Sequence, residues 1–571
     1  MNSKTGKDSK LAEISKNNML LFLEKKTDEY QNRVALGIKS AHGWNEFTYR
    51  GIGLLSRKIA CYLIDNLQVE KGERLAILSE SRPEFGAAVF ASVMSGMTTV
   101  PLDIKLTISE LKSILSNCEP TVIVVSNAFL KTARELQKEI TSIKYIISFD
   151  ETGCDSDVHS VPNFPNNYEG KWRRRSRKST ALIIYTSGTT GNPKGVEITF
   201  GNMLSQLNDM NFIKEIIFKN KHVSVLSILP MNHLFELTVG FSVFLSLGFS
   251  IYYTKSLNPK DITQIMKEKK VNFMIVVPAF LKLLKTGIEK QIKNSNKFTQ
   301  VMFNFMFNLA KFIPFYSVRK LMFSKIHKGF GGEFKGCISG GAALDVNVGE
   351  FFERIGIRIY QGYGLSETSP VVCVNYDRKG DLSSIGRPFS SFESKIIPET
   401  GELWLRGPNV MKGYYKNPEM TAEVLDEDGW LHTGDIANFD KYGHLHITGR
   451  IKNMIVLSGG KKVFPEEVEA VLEQSEHFME VCVFGAQRAT GEKEGTEEIV
   501  AVIVPTEAYV EEINDDKLLV DNIRAEVKQL SNQLALYKRP VNIVVLKDPL
   551  PKTTTRKIKR RDVKELVANQ L

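Results

Sequence analysis

Cysteine is scarce in this chain. The six, Cys61, Cys118, Cys154, Cys337, Cys373 and Cys482, are scattered over 571 residues and form no C-x-x-C pair. That spacing excludes a disulfide framework and fits the reduced thiols of a cytoplasmic protein. Histidine is sparse too, and His444-x-His446 is the one close pair. Alternate residues of a strand face one side, but with no cysteine or further histidine nearby a zinc site is not expected. Long apolar runs are also missing. The uncharged stretch Leu237–Thr254 reaches only the lower length limit of a membrane span and is interrupted by Gly240, Ser242, Ser246, Gly248 and Ser250. Gly248 divides it into a predicted buried helix, Leu237–Leu247, and a strand, Phe249–Thr254. Neither the polar start Met1–Lys10 nor the short apolar run Met19–Leu23 makes a secretory signal.

Acidic residues are outnumbered. There are 65 Asp and Glu against 75 Lys and Arg, a net charge of +10. Such a balance points to an acidic partner: nucleic acid, anionic lipid or a polyphosphate. No nucleic-acid module is recognisable. Hydrophobic residues at 42% and charged residues at 25% are ordinary for a folded protein. At about 150 residues per domain, the length allows three or four domains.

The first part alternates in type. Arg74–Leu78, Thr98–Pro101 and Thr121–Ser126 read as strands, and Glu84–Met94 and Glu110–Asn117 as helices. Alternation of this kind predicts α/β architecture with largely parallel sheets. Cys154–Thr180 is polar and ends in the basic run Lys171–Lys178, which reads as a solvated linker. The α/β pattern resumes at Ala181–Tyr185, and a β-rich stretch follows with Glu402–Arg406, Ile436–Phe439 and His444–Thr448. Beyond Gly449-Arg450 a compact αβ module is expected, with helices at Pro465–Gln474 and Asp521–Leu530 and strands at Val481–Phe484, Ile499–Val504 and Val541–Val545.

The sharpest feature is Tyr185-Thr186-Ser187-Gly188-Thr189-Thr190-Gly191-Asn192-Pro193-Lys194-Gly195. Glycines and hydroxyls at this density make a loop whose N–H and O–H groups can wrap phosphate oxygens, with Lys194 adding charge. The spacing is not that of a Walker A loop. The segment is expected to follow a strand and precede a helix.

This loop resembles the phosphate loop of adenylate-forming enzymes: acyl-CoA synthetases, luciferases and peptide-synthetase adenylation domains. Further blocks follow in the family's order: Gly340-Gly341-Ala342-Ala343-Leu344, Tyr360-Gln361-Gly362-Tyr363-Gly364-Leu365-Ser366-Glu367-Thr368, Thr433-Gly434-Asp435, Gly449-Arg450-Ile451-Lys452, and Pro551-Lys552-Thr553 through Arg560. The resemblance covers about residues 45–560 and is closest to long-chain fatty acyl-CoA synthetases. It implies an α/β fold with packed α/β subdomains and a small β-rich subdomain in a large N-terminal portion, residues 1–451. A mobile α+β domain, 452–571, would hinge at Lys452.

The resemblance also implies roles. A carboxylate and a phosphate repel, so their joining needs charge neutralisation. Thr186, Ser187, Gly188, Thr189, Thr190 and Lys194 would hold the departing pyrophosphate. Thr186 and Glu367 would be the Mg²⁺ ligands, suited by hard oxygen donors. Ser366 would bond the α-phosphate. Gly341, Ala342, Gln361, Gly362 and Tyr363 would form the adenine site. Asp435 would take the ribose hydroxyls and Arg450 the ribose or phosphate. Lys557 would bridge the carboxylate and the α-phosphate. Arg556 stands where the family's pattern has glycine. On the acyl and CoA side, His233 in Pro230-Met231-Asn232-His233-Leu234-Phe235-Glu236 would gate the acid tunnel, and Gly459 and Gly460 would lie along the pantetheine arm.

Val301–Leu309 is apolar nearly all round, with Asn304, Asn308 and Lys311 as a narrow polar stripe. Lys311, Arg319, Lys320, Lys325 and Lys328 follow, and no acidic residue occurs from Val301 to Gly332. This basic apolar hairpin resembles an element of long-chain fatty acyl-CoA synthetases and is expected to dock peripherally on an anionic membrane. The expected reaction is fatty acid + ATP + CoA to acyl-CoA, AMP and pyrophosphate, with Mg²⁺ as cofactor. A carrier protein in place of CoA, release at the acyl-adenylate, or a non-catalytic basic membrane binder are the readings it competes with.

Overall fold

The computed structural model describes residues 19–40, 43–153, 157–186, 194–219, 221–377, 382–457, 461–487, 497–553 and 557–570. Two large sheets dominate the first 450 residues. One runs, edge to edge, Gly413–Tyr414, Lys194–Thr199, Thr180–Thr186, Thr98–Pro101, Arg74–Leu78, Val122–Val125, Tyr145–Ser148 and Val158–Ser160. From Thr180–Thr186 to Val158–Ser160 every neighbouring pair is parallel. The other sheet places Gly336–Ser339, Phe273–Val276 and Ser224–Ser227 at its centre, also parallel. These central strands are buried throughout or nearly so, which is why they read as continuous apolar runs.

Helices fill the space between. Pro83–Ser95 is buried along its whole length and ends on Gly96 in the left-handed region, φ 73°. Gly86 on that helix lies against Phe241: an added Cβ would come 2.4 Å from the ring. Residues of both sheets and of these helices share one apolar core.

The β-rich stretch forms an antiparallel sheet of Glu393–Ile396, Glu402–Arg406, Leu431–Phe439 and Leu445–Arg450. The final module has its own core. Phe478–Gln487, Glu497–Pro505 and Asn542–Val545 form its main sheet, and Pro465–Leu472 and Asp516–Leu530 pack on it. The fold is thus mixed α/β with a separate C-terminal domain.

Three expectations are corrected. The segment 237–247 is helical but wound as a π-helix over Glu236–Val243, then a short α-turn Phe244–Ser246. Ser242 Oγ donates to Leu237 O at 2.8 Å, five residues back. The stretch 157–180 is a solvated linker only in part: Lys171, Arg174, Arg177 and Lys178 are exposed, but other residues are built into the fold. Val158–Ser160 adds an edge strand, and Trp172 packs on the core. Arg173 donates to Val69 O, and Arg175 Nη1 donates to Thr98 Oγ1 at 3.0 Å. Burial lowers the Arg175 pKa. The third correction concerns the phosphate loop. Among the described residues no helix is long and apolar enough to cross a membrane.

Candidate active site

The phosphate-loop segment leaves the sheet on Thr180–Thr186 and returns on Lys194–Thr199, with Thr186 paired to Lys194. It therefore closes a hairpin, and the helix Phe200–Met210 begins only after the second strand. Ser187, Gly188, Thr189 and Thr190 fall outside the described residues. The short strand Gly413–Tyr414 pairs with the outer edge of this hairpin. Its Tyr414 hydroxyl donates to Glu367 Oε1 at 2.8 Å, and Lys194 Nζ stands 5.3 Å from the centre of the Tyr414 ring. Tyr414 thus connects the predicted pyrophosphate lysine with the predicted metal carboxylate. Burial and then the Glu367 carboxylate push its phenol pKa up. Glu367 Oε2 takes no hydrogen bond among the described residues, which leaves a hard oxygen donor free. Sequence reading passed over Tyr414, because its meaning comes from strand pairing across more than 200 residues.

Ser366 and Glu367 sit on a 3-10 turn, Ser366–Thr368, whose Thr368 Oγ1 accepts from Leu365 N at 2.8 Å. The glycine before it is obligatory, since a Cβ on Gly364 would lie 1.8 Å from Pro370 O. Arg358–Tyr363 runs parallel to Gly336–Ser339, pairing Gln361 with Ser339. Gln361, Gly362 and Tyr363 therefore emerge beside Gly341 and Ala342 at the carboxyl ends of neighbouring strands. Crevices for nucleotides in parallel sheets form at such ends. Gly341 takes φ +83°, a conformation natural to glycine. The Gln361 amide donates to Leu382 O, which turns this side chain toward the fold.

Asp435 is the hub of the opposite wall. It is 2% exposed, on Leu431–Phe439 and directly across from Arg450 on Leu445–Arg450. Tyr363 Oη donates to its Oδ2 at 2.6 Å, and Arg450 Nε donates to its Oδ1 at 2.5 Å. The carboxylate keeps lone pairs free for further donors. Burial, then Asp435, raises the Tyr363 pKa. For Arg450 burial works downward but Asp435 outweighs it and the pKa rises. Gly434, at φ +69°, and Thr433, whose Oγ1 donates to Leu403 O at 2.6 Å, shape the approach.

Lys557 is solvent-exposed in the C-terminal domain, within electrostatic reach of this wall. Partial desolvation, then the Arg450 guanidinium, lowers its pKa, while Asp435 opposes the shift. Its backbone N–H donates to Thr553 Oγ1 at 3.1 Å, and Thr553 N donates to Lys557 O at 2.8 Å. Arg560 anchors the base of this loop: Nη2 donates to Glu469 Oε1 at 2.6 Å and Nε to Val483 O at 2.7 Å. Arg560 is thus an internal tether of this domain. Lys452 lies exposed on the 3-10 turn Ile451–Asn453. Asn453 Nδ2 donates to Glu466 Oε1 at 2.6 Å. Gly459 and Gly460 lie outside the described residues.

His233 is half-buried on a turn, its N–H donating to Pro230 O at 3.1 Å. Burial lowers its pKa, with Asp103 raising and Lys105 lowering it. The ring that closes on Gly340 is Phe235, two residues on: a Cβ there would meet it at 2.9 Å. His444 is buried and bonds Asp377 Oδ2 through Nε2 at 2.9 Å. Among the described residues no cluster of three or more metal-binding side chains is present.

The chain matches the family described as AMP-binding enzyme over residues 23–415, and its C-terminal domain over 452–571. It is 29% identical to a long-chain-fatty-acid–CoA ligase of Escherichia coli O157:H7 over 91% of this chain and 90% of that one. It is equally 29% identical to the chloroplastic long-chain-fatty-acid–[acyl-carrier-protein] ligase AEE15 of Arabidopsis thaliana, over 84% and 75%. Fatty acyl-CoA synthetase A of Dictyostelium discoideum is 30% identical over 76% and 70%. In fold it superposes on ATP-bound MatB of Rhodopseudomonas palustris with TM-score 0.76, at 23% identity over 97% and 100% of the chains.

Proposed function

Because the chain belongs to the AMP-binding enzyme family, we propose that it joins a long-chain fatty acid to coenzyme A through an acyl-adenylate. The observation that supports this reading is the Tyr363–Asp435–Arg450 wall, with Lys557 within electrostatic reach of Arg450 and Asp435. An ammonium there meets the negative charge that gathers when a carboxylate oxygen attacks the α-phosphorus of ATP and the bond to pyrophosphate breaks. Tyr363, its hydroxyl tied to Asp435, offers its ring to adenine, and Asp435 accepts from the ribose hydroxyls. Lys194 and the hydroxyls of the hairpin hold the pyrophosphate. Ser366 donates to the α-phosphate. Thr186 and Glu367 would hold Mg²⁺, which supplies further neutralisation of the phosphates when bound. The free Oε2 of Glu367 fits that task.

In the second step the thiol sulfur attacks the acyl carbon and AMP leaves. We assign residues 1–451 to the acid and ATP sites and 452–571 to the domain that brings Lys557, with Lys452 as hinge and Gly459-Gly460 on the thiol side. His233 borders the acid tunnel, with Phe235 beside it. An acyl-carrier-protein thiol is the second reading for the acceptor, supported by the likeness to AEE15. The acid would be collected from a membrane surface by the hairpin that includes Lys297–Ala310.

Fatty-acid-dependent pyrophosphate release from ATP tests the reading, with acids of graded chain length and with CoA present or absent. Lys557→Ala is expected to slow acyl-adenylate formation by about a hundredfold or more. It should leave thioester formation from preformed acyl-adenylate intact. Adenylation unchanged in that variant would overturn the assignment of Lys557.

A further inference from the structure

Lys282 belongs to none of the sequence blocks that carry the proposed site roles. It is on the helix Pro278–Lys293, fixed by its neighbours Phe280 and Leu281, which are buried in the core of the large portion. Its ammonium points to the C-terminal domain. Nζ lies 3.2 Å from Met479 O and 3.4 Å from Phe478 O, at the start of Phe478–Gln487. Among the described residues no other side chain before Lys452 donates to a carbonyl of that domain. A carboxyl group also lies within its electrostatic reach. Glu473, just past the helix Pro465–Leu472, lies near enough to Lys282 for the ammonium to draw its pKa down. Burial nevertheless pushes that pKa up to about 7, and Glu469 and Asp345 add to the rise. The large portion thus presents one cation, and the small domain presents two carbonyl dipoles and a carboxyl group. Hydrogen bonds to a charged group are the stronger class, and this one gains further from partial burial.

We propose that Lys282 is a positioning residue for adenylation: it pins the C-terminal domain in the arrangement that delivers Lys557 to Asp435 and Arg450, and must let go before the thiol step. The inference rests on the proposed two-step reaction for its kinetic consequence, but not for the contact itself. The strand and helix that Lys282 and Glu473 hold are those that anchor Lys557, since Arg560 bonds Val483 O and Glu469. Loss of the pin therefore loosens delivery of Lys557 without touching the nucleotide site.

Lys282→Met keeps the apolar stem and removes the charge, and Lys282→Arg keeps a donor cation. Acid-dependent ATP–pyrophosphate exchange should fall about tenfold in Lys282→Met, the scale of one charged hydrogen bond. Thioester formation from synthetic acyl-adenylate and CoA should be unchanged or faster. Lys282→Arg should restore most of the exchange. Hydrogen–deuterium exchange over residues 473–480, without substrates, should speed up in Lys282→Met and not in Lys282→Arg. Exchange kinetics equal to wild type in Lys282→Met, or an equal loss of both half-reactions, would overturn the proposal. A wild-type protein inert toward every acid, but with the altered deuterium uptake in Lys282→Met, would sink the ligase reading and leave the pin standing.

Discussion

At the scale of single residues, what was legible was chemistry written in consecutive letters. Thr433-Gly434-Asp435 and Tyr363 could be found because the block is contiguous, and the structure brings both to one wall within 2.6 Å. Residues whose role depends on a distant partner were not legible: Tyr414, Lys282 and the tether from Arg560 to Glu469. Glu236 is the sharpest case. It lies in the same short block as the predicted gate His233, yet it is fully buried, and among the described residues neither carboxyl oxygen has a hydrogen-bond partner. Gly240, one turn on, leaves it room; a Cβ there would meet the carboxyl at 2.3 Å. Burial pushes its pKa up from 4.5 to about 8, with Ser227 opposing, and buried Tyr253 is the titratable neighbour. The folded state therefore holds this proton more tightly than the unfolded one. Stability is undiminished below pH 4.5 and is lost as pH rises toward 8, by about 1.4 kcal/mol for each pH unit in that window. Glu236→Gln cannot ionise, so its melting temperature should fall less between pH 5.5 and 8 than that of wild type. Parallel declines would show that Glu236 is not the group responsible.

At the scale of elements, strands with β-branched or aliphatic runs were read with their bounds intact, as Arg74–Leu78, Thr98–Pro101 and Glu402–Arg406 show. Short strands such as Val158–Ser160 and Gly413–Tyr414 were not, because three or two residues carry no period and exist only through pairing. The strand Lys194–Thr199 was hidden because its first residue belongs to a turn-rich loop. The π-helix Glu236–Val243 has the composition of any buried helix, and no pattern of side chains distinguishes its backbone bonds. Gly413–Tyr414 nevertheless carries a consequence. It is held by Lys194–Thr199 on one side and reaches Glu367 on the other, so it orients through one phenol the carboxylate we propose as a metal ligand. Groups that orient metal ligands typically matter by 10- to 100-fold. Tyr414→Phe should slow pyrophosphate release about tenfold at low Mg²⁺ and recover partly as Mg²⁺ is raised. An unchanged Mg²⁺ dependence would remove Tyr414 from this role.

At the scale of the whole molecule, the excess of positive charge has a place to act. The helix Lys297–Ala310 buries Ala310 and packs Phe303, Met306 and Phe307 inward, yet Phe298 is 74% exposed, Val301 68% and Phe305 63%. Phe312 at 78%, Phe315 and Leu321, which follow in the chain, are exposed as well. An apolar surface of this extent is unusual on a protein that stays in water. Lys311, Lys325 and Lys328, close by in the chain, are exposed. Insertion of phenylalanines with lysines at the headgroup level is the arrangement by which a helix lies in a membrane interface. Anionic lipid answers both features at once: the apolar side chains by burial and the lysines by attraction that salt weakens. Vesicles containing anionic lipid should therefore co-sediment the protein, and neutral vesicles should do so less. High salt should reduce binding, and Phe305→Glu should reduce it further while leaving ATP-dependent activation of a water-soluble short-chain acid unchanged. Equal binding by wild type and Phe305→Glu, or binding indifferent to lipid charge and salt, would exclude this face as the contact. In that case the +10 would have to be met by the polyphosphates of ATP and CoA alone.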